Sequence, residues 1–141
     1  MAYQFSADPA RIDHVAVHRW LSEHSYWAQG RSREVQDAAI AGSRSYGVYD
    51  ERTGAQVAYA RVVTDGVTFA WLCDVIVDPG VRGNGAGTLL VEGVVADLDA
   101  LRLKRILLKT ADAHGLYRKV GFEPLTDADQ WMERPAPSTG P

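Results

Sequence analysis

A glycine-rich stretch behind an apolar run constrains the fold of this chain more than any other feature. The segment reads Val75-Ile-Val-Asp-Pro-Gly-Val-Arg-Gly-Asn-Gly-Ala-Gly-Thr88, with glycines at 83, 85 and 87. The pattern predicts a buried strand, a tight turn and the start of a helix. The first N–H groups of a helix have no partner within it, so such a turn can bind an anion, and glycine lets a phosphate approach the backbone. Arg82 adds a cation beside the turn.

Two common phosphate-binding loops do not fit this spacing. A Walker A loop has Lys followed by Ser or Thr after its last glycine, whereas here Ala86 follows Gly85 and a glycine precedes Thr88. A dinucleotide-binding fingerprint that starts at Gly83 requires a glycine at position 88, which is Thr88. The segment is therefore either a phosphate loop of another kind or a tight turn that binds nothing.

The remaining pattern predicts a mixed α/β arrangement of the α+β class. Asp8-Pro9 starts a helix that extends to about Glu23, and Ser32 starts a second helix that ends before Gly42. Three strands come next, and the last of them is apolar on both faces, as expected for a central strand covered on both sides. The strands are predicted at 45–49, 57–64 and 68–77, and after the glycine-rich turn come a helix through 90–101, a strand at 106–109, a short helix at 112–120 that Gly121 ends, and a closing strand near Trp131.

The chain is predicted to form one domain over residues 1–133. Residues 134–141 contain three prolines among small polar residues and are expected to be a flexible tail. We find no internal repeat that would suggest a second unit.

Two motifs together resemble the GNAT superfamily of N-acyltransferases. Arg82-Gly-Asn-Gly-Ala-Gly87 is similar to that superfamily's pyrophosphate loop, Arg/Gln-x-x-Gly-x-Gly/Ala, and the preceding Val75-x-Val-Asp-Pro79 is also typical of it. Further along, Leu116-Tyr117 followed by Gly121-Phe122 resembles its second signature. The resemblance implies the GNAT fold, with a central mixed, mostly antiparallel sheet flanked by helices. It also implies direct transfer of an acetyl group from acetyl-CoA to a primary amine, either of a small molecule or a free amino group.

The resemblance assigns acetyl-CoA binding to the strand and the glycine-rich loop. Many members have an asparagine seven residues before the tyrosine, where this chain has Thr110, and a hydroxyl replaces only one of the amide's hydrogen bonds. The residues implied for acetyl-CoA binding are Val75, Ile76, Val77, Arg82, Gly83, Asn84, Gly85, Ala86, Gly87, Thr88 and Thr110.

Tyr117 and Asp74 are the catalytic candidates. A phenol with a pKa near 10 can protonate the leaving thiolate, so Tyr117 is predicted to be the general acid, against the alternative of a packing tyrosine whose hydroxyl bonds to the backbone. Asp74 is the only charge in an apolar strand, and burial is expected to raise its pKa towards that of a general base. It is equally compatible with a structural aspartate bonded to backbone amides, with an ordered water as the base.

The acceptor is expected to bind between the first two helices, where this family builds its variable site. Tyr26, Trp27, Arg31 and Arg33 lie there, and two guanidinium groups beside aromatic rings would suit an acceptor with a carboxylate. The alternative is a solvated basic face with the aromatic rings packed below it.

Composition excludes several other functions. The net charge of −3 argues against a general nucleic-acid binder, which would need a basic surface, and leaves open only a local basic patch. A single cysteine, Cys73, is typical of a reducing compartment, and with no signal peptide or apolar stretch long enough for a membrane span we expect a cytoplasmic protein. No metal site is expected, because His14 and His18 lack the Glu and third ligand of a zinc motif. Two alternatives stay open: a homodimer, and a non-catalytic acyl-CoA-binding or regulatory module on the same fold.

Overall fold

A computed structural model describes residues 2–137, which form five strands and four α-helices with three short 3-10 turns. The strands are β1 (Tyr3–Ser6), β2 (Arg44–Asp50), β3 (Gln56–Thr64), β4 (Phe69–Val77) and β5 (Arg105–Leu108). The helices are α1 (His14–His24), α2 (Arg33–Ala41), α3 (Ala86–Asp99) and α4 (His114–Arg118), and the 3-10 turns are Pro9–Arg11, Pro79–Val81 and Ala128–Gln130.

The strands form a single sheet in the order β1-β2-β3-β4-β5. The first four pair antiparallel, and β4 pairs parallel with β5. Gly54 and Gly66 have φ angles of 76° and 78° in the two tight connections between β2, β3 and β4, a conformation that glycine adopts at little cost. The predicted α+β class with a mixed, mostly antiparallel sheet is confirmed.

Helices cover both faces of this sheet. On one face α3 packs Leu90 and Val94 against the buried side chains of β2, β3 and β4. On the other face α1 packs Trp20 and Leu21 against Tyr59 of β3 and Ile76 of β4. Burying side chains of this size contributes about 1.5–3 kcal/mol each, so these two layers hold the fold together.

The first half of β4 is covered on only one face, and this corrects the prediction of a doubly covered strand. Ala70 and Leu72 are buried towards α3, whereas Phe69 and Trp71 on the opposite face are 40% and 46% exposed. Since α1 packs against Ile76 at the other end of β4, the aromatic residues at the beginning of the strand have no helix above them.

The N-terminal region differs from the prediction in two ways. The Asp8 carboxylate accepts from the N–H of Ala10 and caps a 3-10 turn, and α1 begins only at His14, capped by Asp13. Tyr3–Ser6, for which no strand was predicted, pairs with the edge of β2 as β1. Four residues carry too little periodic pattern to reveal a strand, and β1 depends on the free edge of β2.

The predicted closing strand near Trp131 is wrong within the described residues. After the 3-10 turn Ala128–Gln130 the chain has no strand, and β5 remains the edge of the sheet. The Trp131 ring instead lies under the Arg105 guanidinium at 5.1 Å, and its indole N–H donates to Asp127. Residues 134–137 are exposed and 138–141 lie outside the described residues, so the flexible tail at 134–141 stays a prediction.

Candidate active site

The parallel strands β4 and β5 separate at one end of the sheet. Their pairing ends with Leu72 opposite Leu108, but β4 continues to Val77. The part of β4 beyond Leu72 therefore has no strand partner on its β5 side among the described residues, and its backbone groups there can bind another molecule. A cavity of about 330 Å³ lies in this opening, lined by the end of β5, by α4 and by the loop between α1 and α2.

A β-bulge in β4 sharpens this divergence. Tyr59 pairs with Ile76 and Arg61 with Cys73, so β4 contains one more residue than β3 over the same span. Asp74, within the bulge, has φ = 54°, a left-handed conformation that costs a non-glycine residue roughly 1–3 kcal/mol. The bulge bends the strand at the point where the site opens.

The glycine-rich loop forms the second part of the site. Gly83 and Gly85 have φ angles of 89° and 85°, and Gly85 is the N-cap of α3 without any side-chain cap. The first N–H groups of α3 are therefore free to bind an anion. Of the predicted loop residues, all but Asn84 line a second cavity of about 340 Å³, together with Val77 and Leu116: Arg82, Gly83, Gly85, Ala86, Gly87 and Thr88.

The other predicted contacts for acetyl-CoA have mixed environments. Asn84 donates its side-chain N–H to the carbonyl of Val81 and closes the turn. Val75 lines the first cavity, whereas the Ile76 side chain is buried against α1. Thr110 also lines the first cavity, and its hydroxyl accepts from the N–H of Ala113 at 3.1 Å at the start of α4.

Tyr117 lines the first cavity from α4. It is 8% exposed, and its ring packs edge-on against Phe122 at 5.9 Å. Burial, together with the nearby Tyr26 and Asp112, raises the pKa of Tyr117 to about 12. Its hydroxyl makes no hydrogen bond to any residue in the range 2–137, which argues against the alternative of a packing tyrosine bonded to the backbone. His114 lines a neighbouring cavity of about 280 Å³, to which Tyr117 and Thr110 also contribute.

Asp74 lies at the bottom of the first cavity, with its side chain 2% exposed. One oxygen accepts from Arg31 and from Arg61, each at 2.8 Å, and the other accepts from the indole N–H of Trp27 at 2.9 Å. Burial opposes ionisation, but the hydrogen bonds and charges of the two guanidinium groups outweigh it and lower the pKa of Asp74. The expectation of a raised pKa is wrong because these cations come from elements distant in sequence.

The predicted acceptor residues separate into two groups. Tyr26 and Trp27 line the first cavity, and their rings pack edge-to-face at 5.0 Å. Arg31 turns inward to Asp74, while Arg33 pairs with Asp37 on the exposed surface of α2. The structure therefore does not bring the two arginines together as a carboxylate-binding pair.

Arg61 and Trp71 are site residues that the sequence prediction missed. Arg61 is the only charged residue in β3 and pairs with Asp74 across the sheet. A lone cation opposite a lone anion in two neighbouring apolar strands was the signal that could have revealed it. Trp71 lines the first cavity from the uncovered face of β4.

No metal or membrane feature appears in the part of the chain that the structure describes. Within it, His, Cys, Asp and Glu side chains form no group of three that could hold a metal ion. Over residues 2–137 no helix has the length and apolar character needed to cross a membrane.

The buried ion pairs of Asp74 predict an acid-sensitive stability. The pKa of Asp74 is lower in the folded protein than in the unfolded chain. The stabilisation of the folded state by these ion pairs is therefore complete above the ordinary carboxyl range and is lost as pH falls through the pKa of the folded state. Asp74→Asn is expected to lower the free energy of unfolding at neutral pH by about 3 kcal/mol, since it leaves buried cations unpaired. Urea unfolding at several pH values should show that this difference narrows in acid.

Asp37→Asn is the matched control for this experiment. Asp37 also has a lowered pKa and an arginine partner, but both side chains are exposed, so its loss is expected to have little effect on stability. Equal effects of the two substitutions at every pH would contradict the assignment of acid sensitivity to Asp74.

Comparison with known proteins places these features in one family. A family model described as the acetyltransferase (GNAT) family matches residues 12–122. The Gibberella zeae protein FG08082 is 30% identical over 135 residues, covering 83% of this chain and 76% of that protein. The crystal structure of a Xanthomonas campestris protein described as belonging to the GNAT family shares 39% identity and superposes with a TM-score of 0.88, over 97% of this chain and 95% of that one.

A plant protein matches a shorter part of the chain. Serotonin N-acetyltransferase 2, chloroplastic, from Oryza sativa subsp. japonica is 39% identical over 80 residues, which cover 56% of this chain and 40% of that protein.

Proposed function

The chain belongs to the acetyltransferase (GNAT) family and is an acetyltransferase, and from that premise we propose that it transfers acetyl directly from acetyl-CoA to the primary amine of a small molecule. One observation carries the proposal: Tyr117, whose hydroxyl has no hydrogen-bond partner within residues 2–137, lines the opening between β4 and β5. A general acid must present an uncommitted hydroxyl at this opening, whereas a non-catalytic acyl-CoA-binding module has no such requirement.

The residues around the opening fit the parts of acetyl-CoA. The free N–H groups at the start of α3 and the guanidinium of Arg82 suit the pyrophosphate. The unpaired side of β4 from Val75 to Val77 suits the amide-bearing arm, which can hydrogen-bond to it as a further strand would. A Cβ on Gly87 would come within 3.3 Å of the Val77 side chain, so a larger residue there would crowd the loop against β4.

The chemistry requires one proton donor and one proton acceptor. The amine nitrogen attacks the thioester carbonyl carbon, the C–S bond breaks with its electron pair on sulfur, and Tyr117 donates the proton that makes the free thiol. With a pKa raised to about 12, Tyr117 is protonated throughout the neutral range and is reprotonated from solvent after each turnover. An ordered water takes the first proton of the acceptor ammonium before the attack. The second proton, which the nitrogen loses as the tetrahedral intermediate collapses to the amide, passes through the same water to solvent. Asp74 is not given this role, because both of its oxygens already accept hydrogen bonds.

The acceptor is proposed to be an amine with a flat apolar body and no carboxylate. Three large aromatic side chains line the opening although each is partly exposed to solvent: Tyr26, Trp27 and Trp71. Arg31, Arg33 and Arg61 each have a carboxylate partner in the protein, so none of these three guanidinium groups is free to bind a carboxylate on the acceptor. The rice relative is named for serotonin, an amine of this kind, which agrees with the proposal.

An assay with matched amines tests this function. We expect 2-phenylethylamine to be acetylated with kcat/KM about tenfold or more above ethylamine, because an aromatic ring buried against Trp71 and Trp27 contributes at least 1.4 kcal/mol. L-phenylalanine, which adds only a carboxylate, should be the poorer substrate. Thiol release and mass spectrometry of the acetylated amine provide the readout. Binding of acetyl-CoA with no product from any amine would favour the non-catalytic module.

The location, partners and oligomeric state of the protein are proposed from its net charge and from the free edge of its sheet. We propose a protein of the cytoplasm without nucleic-acid or membrane partners, consistent with its net charge of −3. A homodimer is a further proposal, and the open edge of β5 would be available to it. Size-exclusion chromatography with light scattering measures the state directly.

A further inference from the structure

The loop between α1 and α2 is tied to both sides of the opening. On one side Trp27 and Arg31 bond to Asp74 in β4, at 2.9 Å and 2.8 Å. On the other side the hydroxyl of Tyr26 accepts from the backbone N–H of Ala111, beyond the end of β5, at 2.9 Å. The loop therefore spans the gap that separates the two strands.

Asp74 holds the β4 side of this loop from an unusual backbone position. It lies within the β-bulge with φ = 54°, a conformation that glycine would adopt more easily. The same carboxylate also binds Arg61 of β3, which in turn donates to Ser43 in the turn after α2, and Arg31 donates to Gln36 within α2. The bulge thus directs one side chain to a point where β3, α2 and the loop meet.

Both oxygens of Asp74 are already engaged in hydrogen bonds, which leave one unused lone pair, on Oδ1, in a side chain that is 2% exposed. Oδ2 accepts from two guanidinium groups and Oδ1 accepts from the indole of Trp27. Protonation would break ion pairs that are shielded from solvent, since the side chains of Arg31 and Arg61 are themselves only 13% and 12% exposed.

We propose that Asp74 is a positioning residue, which holds Trp27 and the α1–α2 loop in place as a wall of the acceptor site and takes no proton from the amine. The inference rests on the proposed function, because the site it shapes is the acceptor site of that reaction. The wall is effective only if the ring of Trp27 is held at one edge, and its hydrogen bond to Asp74 does this.

Trp27→Phe tests the proposal with little risk to folding. The substitution keeps an aromatic wall and removes the N–H donor to a charged acceptor, so KM for 2-phenylethylamine is expected to rise about tenfold. The value of kcat, the pH dependence of kcat and the dissociation constant of acetyl-CoA should change little. Amide hydrogen exchange over residues 25–31 should become faster, a result that does not depend on turnover.

Trp131→Phe is the matched control. Trp131 also donates its indole N–H to an aspartate, Asp127 at 3.1 Å, and it does not line the opening. Trp131→Phe should leave KM for 2-phenylethylamine and amide hydrogen exchange over residues 25–31 as they are in the unsubstituted protein. If Trp27→Phe and Trp131→Phe behave alike in both measurements, the positioning role is wrong.

Asp74→Asn separates positioning from proton transfer. An asparagine oxygen can still accept from Trp27, but the ion pair that ties Arg31 and the α1–α2 loop to β4 is lost. A positioning role therefore predicts a raised KM with the acid limb of the pH–kcat profile in place. Loss of kcat together with disappearance of that limb, at unchanged KM, would identify Asp74 as the base and overturn the inference. If the unsubstituted protein acetylates no amine, the proposed function is wrong. If amide hydrogen exchange over residues 25–31 is unchanged in both Trp27→Phe and Asp74→Asn, the positioning role is wrong, whatever the activity.

Discussion

Gly85→Glu is expected to weaken acetyl-CoA binding at least about 100-fold, because it places a carboxylate at the anion site and like charges in contact cost several kcal/mol. Gly85 is the N-cap of α3, and its φ of 85° also disfavours any side chain. Isothermal titration calorimetry with acetyl-CoA measures the change directly. Arg82→Ala, which removes only the neighbouring cation, should weaken binding by a smaller factor.

Gly54→Glu provides the control for backbone strain and added charge. Gly54 has a similar φ of 76°, and nothing lies within 4 Å of the position of its Cβ, as at Gly85. It lies in the turn between β2 and β3, which forms no part of either cavity at the site. If both glutamate variants bind acetyl-CoA equally well, the glycine-rich turn is not the phosphate-binding loop.

Tyr117→Phe is expected to lower kcat by about 100-fold or more, the usual contribution of a positioned general acid. The phenyl ring retains the packing against Phe122, so acetyl-CoA affinity and stability should change little. Because the pKa of Tyr117 is raised to about 12, its loss of the proton should not limit kcat anywhere between pH 6 and about pH 10. A fall in kcat with rising pH inside that range belongs to another group.

Tyr49→Phe is the matched control for this substitution. Tyr49 is likewise buried with a hydroxyl that lacks a hydrogen-bond partner among the described residues, and burial raises the pKa of Tyr49 to about 12. It lies on β2, away from the opening, where Arg11 covers its ring. A kcat in Tyr117→Phe close to that of Tyr49→Phe would show that Tyr117 only packs.

Patterns within short segments allowed much of the fold to be predicted. The glycine-rich turn, the two central hairpin connections and the left-handed Gly121 depend on neighbouring residues alone, and each lies where it was predicted. The prediction failed for β1 and for the closing strand near Trp131. Whether a short segment becomes a strand depends on whether a free sheet edge lies beside it. That depends on the rest of the fold and cannot be read from the local sequence.

In the candidate site, too, the residues with a local sequence pattern were predicted, and those whose role depends on distant parts of the chain were not. Tyr117 and the loop from Arg82 to Thr88 are recognisable because their spacing is local, and they line the two cavities at the site. Arg61 and Trp71 were missed because their roles depend on the strand opposite and on a face that α1 does not cover. Arg33 was predicted to bind the acceptor because it is close to Arg31 in sequence, although in the structure it pairs with Asp37.

The sequence by itself determined the family, the fold class and the acetyl-transfer chemistry, because these depend on residue types at fixed spacing in the turn before α3 and in α4. Only the tertiary structure decided the ionisation of Asp74 and which side chains surround the proposed acceptor site. Two guanidinium groups reach Asp74 from 43 and 13 residues away, and the Tyr26 hydroxyl reaches Ala111 from 85 residues away. A pKa and a binding surface are set by the charges and rings that surround a group in space, and folding alone brings those together.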